Sequence, residues 1–235
     1  MHVELVDLFR CTQPHEDSWL VAAAHVKRDR VIVEGLLGCP VCGAEYAIRD
    51  GVAYFDVAHD SAANASRGPT SAGAISRPDS FGTKDSQGTA REGGLEEQAF
   101  RLAAQLDLDV PGKTVALVGF DSKLVSALAD IAKPRMLLMD CPGADATAFV
   151  DVPAAVLHRI ASLPVAMQAL DAVATATFLP DNAAGLLRSN GRLVAPEHLP
   201  LPPSVNELAR DNLEWVAARE VTHSRPVQLR RHSSP

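Results

Sequence analysis

Over the first 57 residues the apolar positions fall in short β-branched or alternating runs. Val31-Ile32-Val33 reads as a strand, and Tyr46-Ala47-Ile48 and Val52-Ala53-Tyr54-Phe55 read as the two arms of a hairpin. Asp50-Gly51 lies between those arms and supplies the positive φ that a tight hairpin turn requires. From 58 to 93 the large apolar residues almost vanish, leaving Ile75 and Phe81 in a stretch dominated by small and polar residues. Such a composition buries too little surface to offset its ordering entropy, so 58–93 is expected to be a flexible linker.

From Leu95 onward, helical stripes alternate with solid apolar runs. Leu95, Ala99, Leu102, Ala103 and Leu106 share one helical face. Residues 114–119 and 135–140 read as buried strands, separated by helical spacing over 124–131 that Lys133-Pro134 interrupts. The remaining pattern predicts a short strand over 148–151, a helix over 154–160, a strand over 170–176 and a helix over 181–187. Asn190-Gly191 then reads as a turn into 192–195, followed by a helix over 206–214 and a last strand over 215–221. This alternation predicts an α/β fold. It is expected to be a Rossmann-like, mainly parallel sheet with flanking helices over 94–223, preceded by a small β-rich module over 1–57. Residues 224–235, basic and poor in apolar side chains, are expected to fray.

The net charge of −7 argues against a general grip on nucleic acid, which needs a cationic surface to displace counterions. Lys27, Arg28, Arg30 and Arg49 are the one basic cluster, and a solvated loop explains them equally well. No apolar run approaches the roughly 20 residues that span a bilayer. The opening residues carry Glu4 and Asp7 with no cationic leader, so a cytoplasmic location without membrane attachment is expected.

Three of the four cysteines, Cys11, Cys39 and Cys42, fall in the first 42 residues. Cys39-Pro40-Val41-Cys42, with Gly43 after it, has the spacing of a metal knuckle, whose tight turn brings amides toward thiolates. Cys11 and His15 form a second candidate pair, with His25, Glu16 and Asp17 as alternatives to His15. Four protein ligands would close a tetrahedral zinc site, which makes it structural and not catalytic. They would also staple a module too small to be stable on its core alone. A redox Cys-x2-Cys fits less well, because it should follow a strand and open a helix.

The segment from Gly35 through Cys39-Pro40-Val41-Cys42-Gly43 to Tyr46-Ala47-Ile48-Arg49-Asp50-Gly51-Val52 resembles the small zinc-ribbon activator that partners RNA and protein methyltransferases. That family shows Cys-x2-Cys followed by Tyr-Pro-Ile-x-Asp-Gly-Ile/Val-Pro; here Ala47 and Ala53 stand in place of the two prolines. Its leading Cys-Pro-x-Cys is represented by Cys11 and His15. The resemblance covers about residues 5–56 and implies a binding or stabilising module.

Residues 115–195 resemble the Rossmann-type S-adenosylmethionine-dependent methyltransferases. In that superfamily a glycine-rich loop after the first strand and an acid after the second hold the cofactor. Gly119 and Asp121 stand at the loop position and Asp140 at the acid position. Leu170-Asp171-Ala172-Val173 opens the fourth strand. The loop departs from the pattern, with one glycine followed by the bulky Phe120, and residues 175–180 supply no evident base. Asp140 is equally well explained as a turn cap, and for the others the plain reading is the better one: Cys141 as a small strand-end residue, His158 as a helix-surface residue, and Trp19 and Trp215 as core or interface packing. The sequence therefore leads to a non-catalytic or weakly catalytic methyltransferase-like protein. A structural zinc site and a protein partner or self-association are expected, and S-adenosylmethionine is the possible small-molecule cofactor. The rival is an active methyltransferase with its activator fused in cis.

Overall fold

A computed structural model describes residues 1–55, 94–149, 151–158 and 162–220. The linker expected over 58–93 and the tail over 224–235 lie outside the described residues.

Among the described residues, one eleven-stranded sheet holds all the strands. Its strands in chain order are β1 (Val21–Arg28), β2 (Val31–Gly38), β3 (Glu45–Arg49), β4 (Val52–Ala53), β5 (Thr114–Val118), β6 (Arg135–Met139), β7 (Ala154–Leu157), β8 (Leu170–Thr175), β9 (Leu187–Pro196), β10 (Val205–Arg210) and β11 (Glu214–Arg219). The spatial order is β1-β2-β3-β4-β7-β6-β5-β8-β9-β11-β10. The middle, β4-β7-β6-β5-β8-β9, is parallel, and both flanks are antiparallel. The sheet is thus mixed: the parallel arrangement expected over 94–223 is found in β5–β9, while β10 and β11 add an antiparallel edge and the N-terminal strands continue the same sheet instead of standing apart. Within it, β7-β6-β5-β8-β9 winds outward in both directions from a central first strand, the order 3-2-1-4-5 of a doubly wound Rossmann-type sheet.

Strands β5 and β6 explain the two faces. Val115, Leu117, Met136 and Leu138 point to one face, where α1 (Leu95–Gln105) and α2 (Ser122–Ala132) pack through Leu102, Leu106, Val125 and Leu128. Ala116, Val118, Leu137 and Met139 point to the other. There the N-terminal segment takes the place of crossover helices. A 3-10 segment, Val3–Leu8, lays Leu5 and Leu8 on the sheet, and Phe9 follows, fully buried. Each such side chain contributes about 1.5–3 kcal/mol by leaving water. Main-chain bonds fix it: Arg10 N donates to Pro164 O at 2.9 Å and Ala166 N to Leu8 O at 3.0 Å. The helix α3 (Ala183–Leu186) is a single turn on this face.

Several local readings change. Residues 154–160 were expected to be helical, but 154–157 form the buried strand β7, an apolar run too short for periodicity to distinguish the two states. The strand expected over 148–151 is replaced by a 3-10 turn, Ala146–Ala148. Residues 206–214 contain the edge strand β10, not a helix; five of its six residues are exposed, so no alternation marks it. Asn190, with φ 64°, falls within β9 at a register shift against β8, a bulge where a turn was expected. Trp19 is 52% exposed, outside the core, with the Arg10 guanidinium over its ring, whereas Trp215 is fully buried and donates from Nε1 to Leu199 O at 2.9 Å. His158 follows β7 instead of lying on a helix, and its ring stacks on Tyr54.

Candidate metal centre and the strand-end cleft

The tetrad is built at the rim where the parallel strands end. β2 runs to Gly38, β3 starts at Glu45, and the intervening knuckle is closed by Gly43 N donating to Cys39 O at 3.0 Å and Cys39 N to Ala44 O at 2.9 Å. Gly43 has φ +71° with open space where a Cβ would sit, so backbone conformation, not crowding, asks for glycine. Cys11 comes from the segment after Phe9, tied in by its N–H donating to Ser18 O at 3.0 Å.

The ligand atoms of Cys11, His15, Cys39 and Cys42 all lie within 4.8 Å of one another. Cys11 Sγ is 3.7 Å from Cys42 Sγ, and Cys39 Sγ is 3.4 Å from His15 Nε2. A tetrahedral zinc ion would set these separations at about 3.8 and 3.6 Å. His15 Nδ1 donates to the Glu16 carbonyl at 2.5 Å, which frees Nε2 to face the sulfurs. Bonding to the Cys11 sulfur and to the Glu16 carbonyl pushes His15 above its ordinary value. Burial pushes the Cys39 thiol up, but the amides of Cys42 and Val41 and the thiols of Cys42 and Cys11 outweigh it, bringing it to about 6. The donor set, its spacing and its thiolate character fit a metal ion. Of the alternatives to His15, Glu16 supplies only its carbonyl to His15, Asp17 is paired with Arg10, and His25 lies on the exposed strand β1.

Tyr46 completes this centre, and its role was not apparent from its place in an alternating strand. The fully buried ring packs on Phe55, with centroids 5.0 Å apart. Its hydroxyl lies 3.2 Å from Cys11 Sγ and 3.0 Å from Thr12 Oγ1, and accepts from Thr12 N at 3.1 Å. One side chain thus couples the cluster to the core.

Gly119, Asp121 and Asp140 lie at the carboxyl ends of the adjacent strands β5 and β6, beside the point where the winding reverses between β5 and β8. Their surroundings do not form an open cofactor cradle. A Cβ at Gly119 would lie 2.6 Å from Thr177 Cγ2 and nearer still to its Oγ1, so the bare face of the glycine is covered by a side chain. Thr177 had no local signal to betray it; it arrives from the far side of the switch point, after β8. Asp121 caps α2, its carboxylate accepting from Lys123 N at 2.8 Å. Asp140 is exposed, with φ 55°. Cys141 is buried and its Sγ lies 3.4 Å from Leu117 O; burial raises its thiol, the opposite of what a nucleophile needs. Between α1 and these strand ends lies a cleft of ≈ 280 Å³, lined in part by Phe120, Thr175, Ala176 and Arg101. Arg101 is held by Asp211 and Glu214 at 2.8 and 2.5 Å.

No protein-family model matches the chain, and neither does the sequence of any curated protein. Among solved structures, it is similar to a candidate sarcosine dimethylglycine methyltransferase from Galdieria sulphuraria, with 15% identity, 43% of this chain and 45% of that one covered, and a TM-score of 0.35. It is also similar to the Burkholderia thailandensis 1,6-didemethyltoxoflavin-N1-methyltransferase, at 10% identity, coverages of 54% and 78%, and a TM-score of 0.40. A candidate S-adenosyl-L-methionine-dependent methyltransferase from Methanococcus maripaludis gives 9%, 57% and 87%, and 0.39. The chain spans less than half the length of the first of these. The α/β class itself is defined by the strand order described above. Among the described residues, no helix is long and apolar enough to cross a membrane.

Proposed function

We propose that this protein is a non-catalytic or weakly catalytic, methyltransferase-like binding and assembly unit whose N-terminal module, over 1–57, is stapled by a structural zinc ion held by Cys11, His15, Cys39 and Cys42. The observation that carries the reading is the closed tetrad: the protein supplies four ligand atoms within 4.8 Å, leaving no position for a reacting water. Bound zinc would supply a cross-link between the segment at Cys11 and the β2–β3 knuckle. In this reading the N-terminal segment over 1–57 is a built-in activator-like module, supported by the parallel pairing of β4 with β7 and by the 3-10 segment laid on the second face.

S-adenosylmethionine does not fit at Gly119, because Thr177 covers the approach and Asp121 is engaged as a helix cap. Metal analysis together with calorimetry tests the proposal. One zinc per chain and no saturable heat with S-adenosylmethionine are expected. Saturable cofactor binding that Asp140→Ala abolishes would instead establish the active methyltransferase with a fused activator, to which the cleft beside Phe120 would then belong. Metal-free purified protein whose fold is indifferent to chelators would remove the structural zinc.

A further inference from the structure

The four side chains of the tetrad differ sharply in exposure. Cys39 is 4% exposed, at the foot of the knuckle. Cys42 is exposed, as are Pro40, Val41 and Gly43 around it, while Cys11 and His15 are half-buried. A Cβ built on Gly43 would meet nothing within 4 Å, so the tip of the knuckle stands clear of its surroundings. Cys11 has the opposite setting. Its Sγ lies 3.2 Å from the hydroxyl of the buried Tyr46 and accepts from Gln13 N at 3.5 Å. An open sulfur thus faces an anchored one across 3.7 Å. A disulfide brings two sulfurs to about 2 Å, and the difference can be made up on the side of the free tip.

Bound zinc keeps its cysteine ligands as thiolates, the nucleophilic form. An accessible thiolate beside a second one that can resolve it is the arrangement peroxide-sensitive cysteines use. Resting on the zinc reading above, we propose that Cys42 and Cys11 are a peroxide-sensitive pair whose oxidation ejects the metal and replaces its cross-link with a disulfide. Cys42 Sγ attacks one oxygen of hydrogen peroxide, the O–O bond breaks, and a sulfenic acid forms as hydroxide leaves. Cys11 Sγ then attacks the Cys42 sulfur and displaces a second hydroxide. Two electrons pass from the two sulfurs to the peroxide. Cys39 and His15, the ligands that remain, are too few to hold the ion. The new bond joins the same two places the metal joined, the segment after Phe9 and the β2–β3 knuckle, 31 residues apart. The staple therefore outlasts the zinc. A Cys39–Cys42 bond would close within one turn and leave Cys11 unattached.

The full chain, its zinc content first measured, is treated with hydrogen peroxide while a chromophoric chelator reads the metal released. Free thiols are then blocked and tandem mass spectrometry maps the cysteines. One zinc is expected to leave for each Cys11–Cys42 disulfide formed, with Cys39 still free. Cys141, buried on the other face of the sheet, should also stay free. The oxidised protein should melt several degrees above reduced protein stripped by a chelator, because only the oxidised form keeps a cross-link. A dithiol with added zinc should restore one zinc per chain. Protein that carries no zinc before peroxide is added overturns the zinc reading and this inference together. Zinc-loaded protein overturns the inference alone if it keeps its metal under peroxide or if the disulfide includes Cys39. Sulfinic acid at Cys42 with no disulfide, or oxidised protein that melts with the stripped form, overturns it as well.

Discussion

Replacing Tyr46 by Phe removes one oxygen and nothing else, so it measures how far the metal centre depends on the core beneath it. The ring keeps its seat on Phe55. Three contacts disappear: to Cys11 Sγ, to Thr12 Oγ1 and to the Thr12 amide. A part-buried amide left without an acceptor costs about 1–3 kcal/mol. Thr12 is exposed, so water can reach part of that gap, and the lower end of the range applies. Cys11 Sγ keeps the Gln13 amide at 3.5 Å. A loss of about 1–1.5 kcal/mol falls on the metal-bound geometry, which is roughly tenfold in zinc affinity. Competition against a chromophoric chelator reads this directly, with Cys39→Ser as the ligand-loss reference. An affinity within about twofold of wild type would show that the hydroxyl does not position Cys11. A loss as large as that of Cys39→Ser would show that the tyrosine does more than orient a ligand.

Three further outcomes are expected. Gly35→Ala places a Cβ 2.5 Å from the Ala23 carbonyl and 3.2 Å from Ile32 Cγ2, so the β1–β2 pairing must spread. A cost of about 1–3 kcal/mol follows, seen as a lowered Tm in thermal unfolding, and an unchanged Tm would refute the close approach. In metal-free protein Cys39 ionises near 6 instead of its ordinary 9.0, so its stabilising contribution is complete above the ordinary thiol value and lost as pH falls through about 6. Urea midpoints should therefore rise between those limits in the wild type and less so in Cys39→Ser; parallel profiles would count against it. Trp215→Ala empties a fully buried site and should cost about 3–5 kcal/mol in chemical denaturation, whereas truncating the half-exposed Trp19 should cost far less.

The tetrad was legible because ligand chemistry is local: Cys39 and Cys42 declare a knuckle by spacing, and Cys11 with His15 declares a second pair. Likewise Asp50-Gly51, with φ of 50° and 79°, forms the tight turn its residues require. What stayed hidden depends on distant partners. Thr177 meets Gly119 across the switch point, and Phe9 bridges to Val165, so neither contact leaves a mark near its own residue. Strand direction is equally silent in an apolar pattern, so the antiparallel β9–β11–β10 edge left no trace, whereas the β3–β4 hairpin was announced by its Asp50-Gly51 turn. β7 was too short to show a period, and β10, exposed along an edge, had no buried face to write one.

The pairing of β4 with β7 makes the two portions of the chain mutually dependent. A severed N-terminal piece would present the bare hydrogen-bonding row of β4 and the apolar residues Leu5 and Phe9 to solvent; its counterpart would present the row of β7 and an uncovered sheet. Supplied as separate polypeptides, each would be prone to aggregation until it met the other. Synthesis as one polypeptide fixes their ratio and puts each close to its complement from the start.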